Sequence, residues 1–153
     1  MSTTHALGRA TLNRVTRERY RAHCRPRPRL RVSEWVERYL VLPASTTNQA
    51  GPFRLSVAPY LEDVFDAVGD PETERVTFIA PSQSAKTTFE MGVALYFAHQ
   101  EPAPVLVVQP TLDMAQDFSK GRLTPTIEAS PALRGLIAPA RSRDSNNTIL
   151  SKQ

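Results

Sequence analysis

Apolar residues recur along the chain at two different spacings, and prolines and glycines separate the segments. Over residues 59–68 and 87–100 the apolar side chains recur every three or four positions, which predicts two helices. Two short runs rich in β-branched residues, 76–79 and 105–108, predict strands. The run 105–108 is apolar throughout, which is typical of a parallel sheet covered on both faces. The order strand, helix, strand therefore predicts an α/β fold with a right-handed crossover.

A shorter helix is predicted ahead of this unit. Residues 33–42 carry apolar side chains at helical spacing, Ser33 is a suitable N-cap, and Pro43 ends the pattern. Trp35 lies within this segment, and we expect it to be a packing anchor rather than a stacking platform for a base.

Further short elements are predicted towards the C-terminus. Thr111 can cap a helix that Pro125 interrupts, and Pro131 opens a short turn or helix that extends to residue 137. Residues 148–150 resemble the start of another strand.

Composition and charge divide the chain into two parts. The 153 residues are 41% hydrophobic with a net charge of +4, which suits one modest folded domain. The basic excess lies in residues 1–31, which we call the arm, and Glu18 is its only acidic residue. We therefore expect a flexible arginine-rich arm followed by a folded portion over residues 32–153. Neither a membrane-spanning apolar run nor a secretion signal is evident, and one cysteine with three histidines does not suggest a metal site.

The arm has three interpretations. Its arginines, among them Arg25, Arg27 and Arg29, could contact nucleic-acid phosphates, because clustered cations displace counterions from DNA. The same composition suits a solvated tail, and it also suits a mitochondrial-type presequence.

The connection between the first predicted strand and the following helix is a candidate anion site. Residues 80–87, which we name the phosphate loop, read Ala-Pro-Ser-Gln-Ser-Ala-Lys-Thr. Backbone N–H groups at a helix N-terminus attract phosphate, Lys86 adds a full charge, and the Thr87 hydroxyl can ligate magnesium. The usual pattern has glycines where Ala80 and Ala85 stand. From the residues alone, an ordinary strand-to-helix connection with a surface lysine is the favoured interpretation.

Several segments in register resemble one known family. The chain is similar to the N-terminal part of the large subunit of tailed-phage terminases of the lambda-like GpA type. The matching segments, in chain order, are Trp35, Gly51-Pro52-Phe53, Pro59-Tyr60-Leu61, the run 76–87, Val105 to Thr111, Phe118-Ser119, Arg122-Leu123, Pro125, Ile127 and Ser130-Pro131. The resemblance covers residues 33–152 and implies a partial P-loop fold of the RecA/helicase-like kind, with ATP and Mg²⁺ as cofactors. It removes support from the presequence interpretation.

The resemblance also implies roles for particular residues. The ATP-binding loop would consist of Ser82, Gln83, Ser84, Ala85, Lys86 and Thr87. Lys86 would reach the β- and γ-phosphates, Gln83 the γ-phosphate, and Thr87 the magnesium ion. Ala85 departs from the family's glycine, and if its φ is positive the alanine costs about 1 kcal/mol. Thr111 stands where related ATPases contact the DNA backbone, although a plain helix cap is an equal alternative.

As a member of such a family the chain would act in the cytoplasm of the host cell. Its partners would be double-stranded DNA, the terminase small subunit and the portal protein. The sequence contains no apolar strand ending in Asp-Glu and no clustered carboxylates for a nuclease, so we expect the N-terminal fragment of a longer ATPase and endonuclease, inactive by itself. Two alternatives remain open: a non-catalytic DNA-binding prophage remnant with a degenerate nucleotide loop, and a fragment of another P-loop ATPase.

Overall fold

The computed structural model describes Thr16, Arg17, Arg19, residues 28–137 and Leu150. In chain order the principal elements are α1 (Val32–Tyr39), β1 (Val41–Leu42), β2 (Gly51–Pro52), a 3₁₀ turn (Leu55–Val57), α2 (Leu61–Gly69), α3 (Lys86–His99), α4 (Leu112–Asp117), a π-helix (Phe118–Leu123), α5 (Thr124–Ala129) and a 3₁₀ turn (Pro131–Leu133). The two helices predicted over residues 59–68 and 87–100 are confirmed as α2 and α3. Within this described part, no helix is both long and apolar enough to cross a membrane.

Helices α1, α2 and α3 pack together around the core. The largest fully buried side chains of these helices are Trp35, Phe65, Leu61, Met91 and Leu95. The predicted role of Trp35 as a packing anchor is confirmed.

At Gly92, α3 closely approaches both of the other helices. A Cβ atom at this position would lie 2.9 Å from Val36 Cγ1 and 3.0 Å from Phe65 Cε1. These distances are too short for a carbon contact, so the packing of α1 and α2 on α3 requires a glycine here.

Helix α1 begins one residue earlier than predicted, and Ser33 is not its cap. The helix ends at Tyr39 and not at Pro43, because residues 41–42 form strand β1 instead of continuing the helix. Arg31 is the N-cap residue, and its backbone N–H donates to Glu34 Oε2 at 3.1 Å. The backbone N–H of Ser33 instead donates to Asp66 Oδ1 at 3.1 Å, and Asp66 Oδ2 lies 2.6 Å from Arg31 Nη1. The Asp66 carboxylate of α2 therefore takes the place of the Ser33 hydroxyl at the start of α1, because tertiary packing brings it to the backbone N–H of Ser33.

The described residues contain one two-stranded antiparallel sheet, in which Val41 pairs with Pro52 and Leu42 with Gly51. The segments 76–79 and 105–108, which the sequence predicts as strands, are neither helix nor strand. Each packs on the core by one face only, through Phe78 and Val107. The parallel sheet is thus absent from the described residues, since neither segment has a hydrogen-bonded neighbour of the kind that a strand requires.

The other face of these segments carries exposed apolar side chains. Ile79 is 90% exposed, Leu106 87% and Val108 78%. We name these three residues the apolar strip. The sequence predicted that segment 105–108 is covered on both faces, whereas the structure covers only one face of it.

Thr111 caps α4 as predicted, because its side-chain oxygen accepts a hydrogen bond from the backbone N–H of Met114 at 3.2 Å. Pro125 does not interrupt the helical segment that follows. It lies in the first turn of α5, directly after the π-helix, and the N–H of Thr124 bonds to Ser119 O, five residues earlier. Proline has no N–H to donate to the preceding turn, and the wider π-helical turn ahead of it keeps the backbone helical.

Residues 131–133 form a short 3₁₀ turn at Pro131, and the following residues to 136 are turn. The predicted strand over 148–150 falls outside the described residues except for Leu150, which is exposed.

Candidate functional site

The phosphate loop leads from segment 76–79 into the N-terminus of α3. Ser82 and Gln83 form a turn, and the helix begins at Lys86. Ala85, the N-cap residue, has φ 57° and ψ 22°, and Gln83 has φ 60°. Both residues therefore adopt the left-handed conformation that side chains disfavour. The positive φ that the sequence analysis considered for Ala85 is present.

The ammonium group of Lys86 folds back into the bend of the loop. Its Nζ atom donates to the carbonyl oxygens of Ala80, at 3.0 Å, and of Pro81. Ser84 Oγ lies 3.5 Å from the same nitrogen and itself donates to Pro81 O at 2.7 Å. The positive charge is thus held inside the loop by neutral oxygens, which a phosphate would have to replace.

The other loop residues surround this charge at the helix N-terminus. Thr87 is the second residue of α3 and is half-buried, whereas Ser82 and Gln83 are exposed. The helix dipole of α3, which has 14 residues, adds partial positive charge at the same end. The arrangement combines a full cation, a helix N-terminus and three hydroxyl side chains within one loop, which is a chemical set suited to a phosphate with a divalent cation.

Of the candidate DNA contacts, Thr111 and Arg29 lie within the described residues. Thr111 uses its hydroxyl oxygen as the cap of α4, so the capping alternative is the one that the hydrogen bond supports. Arg29 is exposed next to α1, and Arg25 and Arg27 lie outside the described residues.

The far end of α3 holds residues 28–31, which we name the arm root. The Tyr96 hydroxyl donates to Leu30 O at 3.0 Å, and Gln100 Nε2 donates to Pro28 O. Burial raises the pKa of the Tyr96 phenol, and the carboxylate of Glu101 raises it further. Sequence reasoning missed these contacts. The only indication in the sequence was that two side chains able to donate hydrogen bonds, Tyr96 and Gln100, stand four residues apart at the end of an apolar helix.

The arm root is therefore separated from the phosphate loop by the length of α3, about 20 Å for a helix of this size. Residues 28–31 contact α3, although their composition is that of the arm.

Comparison with known proteins gives one family. Residues 47–153 match the model of the phage terminase large subunit gpA, ATPase domain. The terminase large subunit of Enterobacteria phage P21 is 26% identical over 120 residues, which are 78% of this chain and 18% of that protein. The terminase large subunit of Escherichia phage lambda is 26% identical over 142 residues, which are 93% of this chain and 22% of that protein. The chain thus spans about a fifth of the length of these relatives. No solved structure matches.

Proposed function

This chain belongs to the family of phage terminase large subunit gpA ATPase domains, and we propose that it binds Mg²⁺-ATP as the front part of a DNA-packaging motor. The observation that carries the proposal is the Lys86 ammonium in the bend of the phosphate loop, at the N-terminus of α3. This loop lies within the matched residues 47–153, so family and local chemistry point to the same ligand.

The roles of the loop residues follow from their places. Lys86 would exchange its carbonyl partners for phosphate oxygens, because a charged acceptor makes a stronger hydrogen bond than a neutral one. The first backbone N–H groups of α3 would donate to the same phosphates. Thr87 would hold Mg²⁺ through its hydroxyl, and the ion would neutralise phosphate charge. Ser82, Gln83 and Ser84 would line the approach, with Gln83 nearest the γ-phosphate.

We extend the proposal to the fold around the site. Segments 76–79 and 105–108 would be neighbouring strands of the parallel sheet of a P-loop domain of the RecA/helicase-like kind. Support comes from the alternation along both segments, because Phe78 and Val107 face the core whereas the apolar strip points outward.

The whole-protein activity is proposed from the family alone. In the full-length protein, ATP hydrolysis would drive translocation of double-stranded DNA, with a small subunit and a portal protein as partners in the host cytoplasm. The arginines of the arm, Arg29 among them, would contact DNA phosphates. For the 153 residues alone we propose nucleotide binding without turnover, because the sequence has no apolar strand ending in Asp-Glu.

A nucleotide-binding measurement tests the proposal. Titration calorimetry should show that Mg²⁺-ATP binds to the chain. It should bind about a hundredfold more weakly to Lys86→Ala, because this variant loses a charge-assisted hydrogen bond to phosphate. Lys120→Ala is the matched control, because Lys120 is an exposed lysine in the π-helix and should leave the affinity unchanged. Equal affinities for the chain and Lys86→Ala would reject the assignment.

The strained loop favours one second candidate, a DNA-binding protein whose nucleotide loop has decayed. Two non-glycine residues at positive φ, Gln83 and Ala85, make the loop less favourable to form. In that case Mg²⁺-ATP would not bind, while DNA would bind through the arm.

Mg²⁺-ATP binding to the intact chain separates the two candidates. Deleting residues 1–27 tests the DNA contact that both candidates share, and it keeps the arm root in place. We expect the intact chain to bind DNA with an affinity that falls by about tenfold or more between 50 and 200 mM salt. The deletion should abolish this salt-dependent binding. Nucleotide binding should be unaffected by the deletion. DNA affinity that survives the deletion unchanged would show that residues 1–27 are not the DNA contact.

A further inference from the structure

The indole of Trp35 lies where α1 meets the C-terminal end of α3. The chain has a single tryptophan, and its side chain is fully buried. Its Nε1–H donates to Nδ1 of His99, the last residue of α3, at 3.0 Å. The imidazole centroid is 5.8 Å from the indole and 5.4 Å from the ring of Tyr39. One hydrogen bond thus joins α1 to the helix that begins at the phosphate loop.

This hydrogen bond depends on the protonation state of His99. An indole N–H can only donate, and an imidazole nitrogen can accept only while it carries no proton. In the imidazolium ion both ring nitrogens are donors, so two N–H groups would face each other between α1 and α3. The buried indole N–H would lose its acceptor at His99, and burial makes an unpaired donor costly.

Charged groups around the contact act in both directions. On α1, Arg38 lies with its guanidinium carbon 5.3 Å from the Tyr39 ring centroid, and Arg29 of the arm root lies close enough to influence Tyr96 on α3. Glu101 and Asp66 act on the same tyrosine with the opposite sign, and His99 is the last residue of α3, where the helix dipole favours positive charge. The hydrogen bond itself requires an unprotonated Nδ1.

We propose that His99 is a proton-controlled latch between α1 and α3. The neutral imidazole holds Trp35 against the end of α3, and the imidazolium releases it. Tyr96 and Gln100 hold the arm root at the same end of α3, so release also loosens the point at which the arm joins the folded part. The latch does not depend on nucleotide binding.

Tryptophan fluorescence tests the latch directly, because Trp35 is the sole reporter in the chain. Between pH 8 and pH 5 the emission of the 153-residue chain should follow a one-proton titration. Over the same range the equilibrium constant for unfolding in urea should rise about tenfold, since the folded state loses a buried hydrogen bond.

The matched variant is His99→Gln, whose amide oxygen can accept from the indole but does not titrate in this range. We expect its emission and urea midpoint to be constant from pH 8 to pH 5. His23→Gln removes a histidine of the arm and should retain the wild-type profile. A wild-type profile in His99→Gln, or a flat profile in the unsubstituted chain, would overturn the proposal.

A measurement on the unsubstituted chain covers the case in which His99→Gln does not fold. The single indole N–H resonance in a proton–nitrogen NMR spectrum should shift as His99 gains its proton. An indole resonance that keeps its position while the His99 ring resonances titrate would contradict the latch.

Discussion

Two residues of the phosphate loop hold a backbone conformation that side chains resist. Gln83 and Ala85 have φ values of 60° and 57°, whereas Ala80, the other alanine at a position where the pattern has glycine, does not have a positive φ. Of the two missing glycines, only the one at position 85 therefore has a conformational cost.

Replacing Ala85 by glycine should relieve this cost. We expect Ala85→Gly to raise the free energy of unfolding by about 1 kcal/mol, because the methyl group is disfavoured at positive φ. Mg²⁺-ATP affinity should also rise, since the loop can then adopt its conformation at lower cost. Urea denaturation and calorimetry measure the two effects.

Ala80→Gly is the control for this substitution. At an ordinary φ, glycine only increases the entropy of the unfolded chain, so this variant should be unchanged or less stable by up to about 1 kcal/mol. Equal effects at the two positions would show that the φ of Ala85 is not what limits the loop.

At the scale of the elements, the packing of α3 against α1 and α2 depends on Gly92. We expect Gly92→Ala to lower the free energy of unfolding by about 1–3 kcal/mol, because the added methyl group meets Val36 and Phe65. Thermal or urea denaturation checks this directly.

Gly121 in the π-helix provides the opposite case, because a Cβ atom there meets nothing within 4 Å. Gly121→Ala should leave stability unchanged or raise it by up to about 1 kcal/mol, since alanine favours helices. If Gly92→Ala changed the free energy of unfolding as little as Gly121→Ala, the conclusion that the three helices approach closely at Gly92 would be wrong.

The other end of α3 predicts a dependence of stability on alkaline pH. The pKa of Tyr96 is raised, mainly by burial, above its unfolded value of about 10. Its contribution to stability is therefore fully present below about pH 10 and is lost as the pH rises through the folded-state pKa. Deprotonation also removes the hydroxyl donor that holds Leu30.

Tyr96→Phe should reduce this loss of stability above pH 10, and Tyr60→Phe should not, because Tyr60 is exposed. Urea midpoints from pH 8 to pH 11 compare the variants. A steep alkaline loss that persists in Tyr96→Phe would assign the effect to another group.

At the scale of the whole molecule, charge and apolar surface are unevenly distributed. The phosphate loop and the arm root occupy opposite ends of α3. An anion at either end would therefore meet a different cationic group, Lys86 at the loop or Arg29 in the arm root. The apolar strip lies on the outer face of the two segments predicted as strands, where a sheet neighbour would cover it.

Much of the element pattern could be predicted from the sequence, but the pairing of strands could not. The helices α2 and α3 were predicted within two residues at each end, because their apolar periodicity is local information. Strand formation at 76–79 and 105–108 depends on a hydrogen-bonded neighbour, which residue type does not supply. Similarly, the prediction that Ser33 caps α1 was wrong. The carboxylate of Asp66, which is distant in sequence, accepts a hydrogen bond from the backbone N–H of Ser33 instead.

The sequence by itself determined the family and, to within one residue, the boundaries of α3, since motif order and periodicity are properties of the chain. The tertiary structure decided that Ala85 takes a positive φ and that the Lys86 ammonium lies among carbonyl oxygens. It also brought Trp35 to His99. These features depend on which groups come into contact after the helices pack. Contacts between residues far apart in the chain cannot be predicted from the local order of residues.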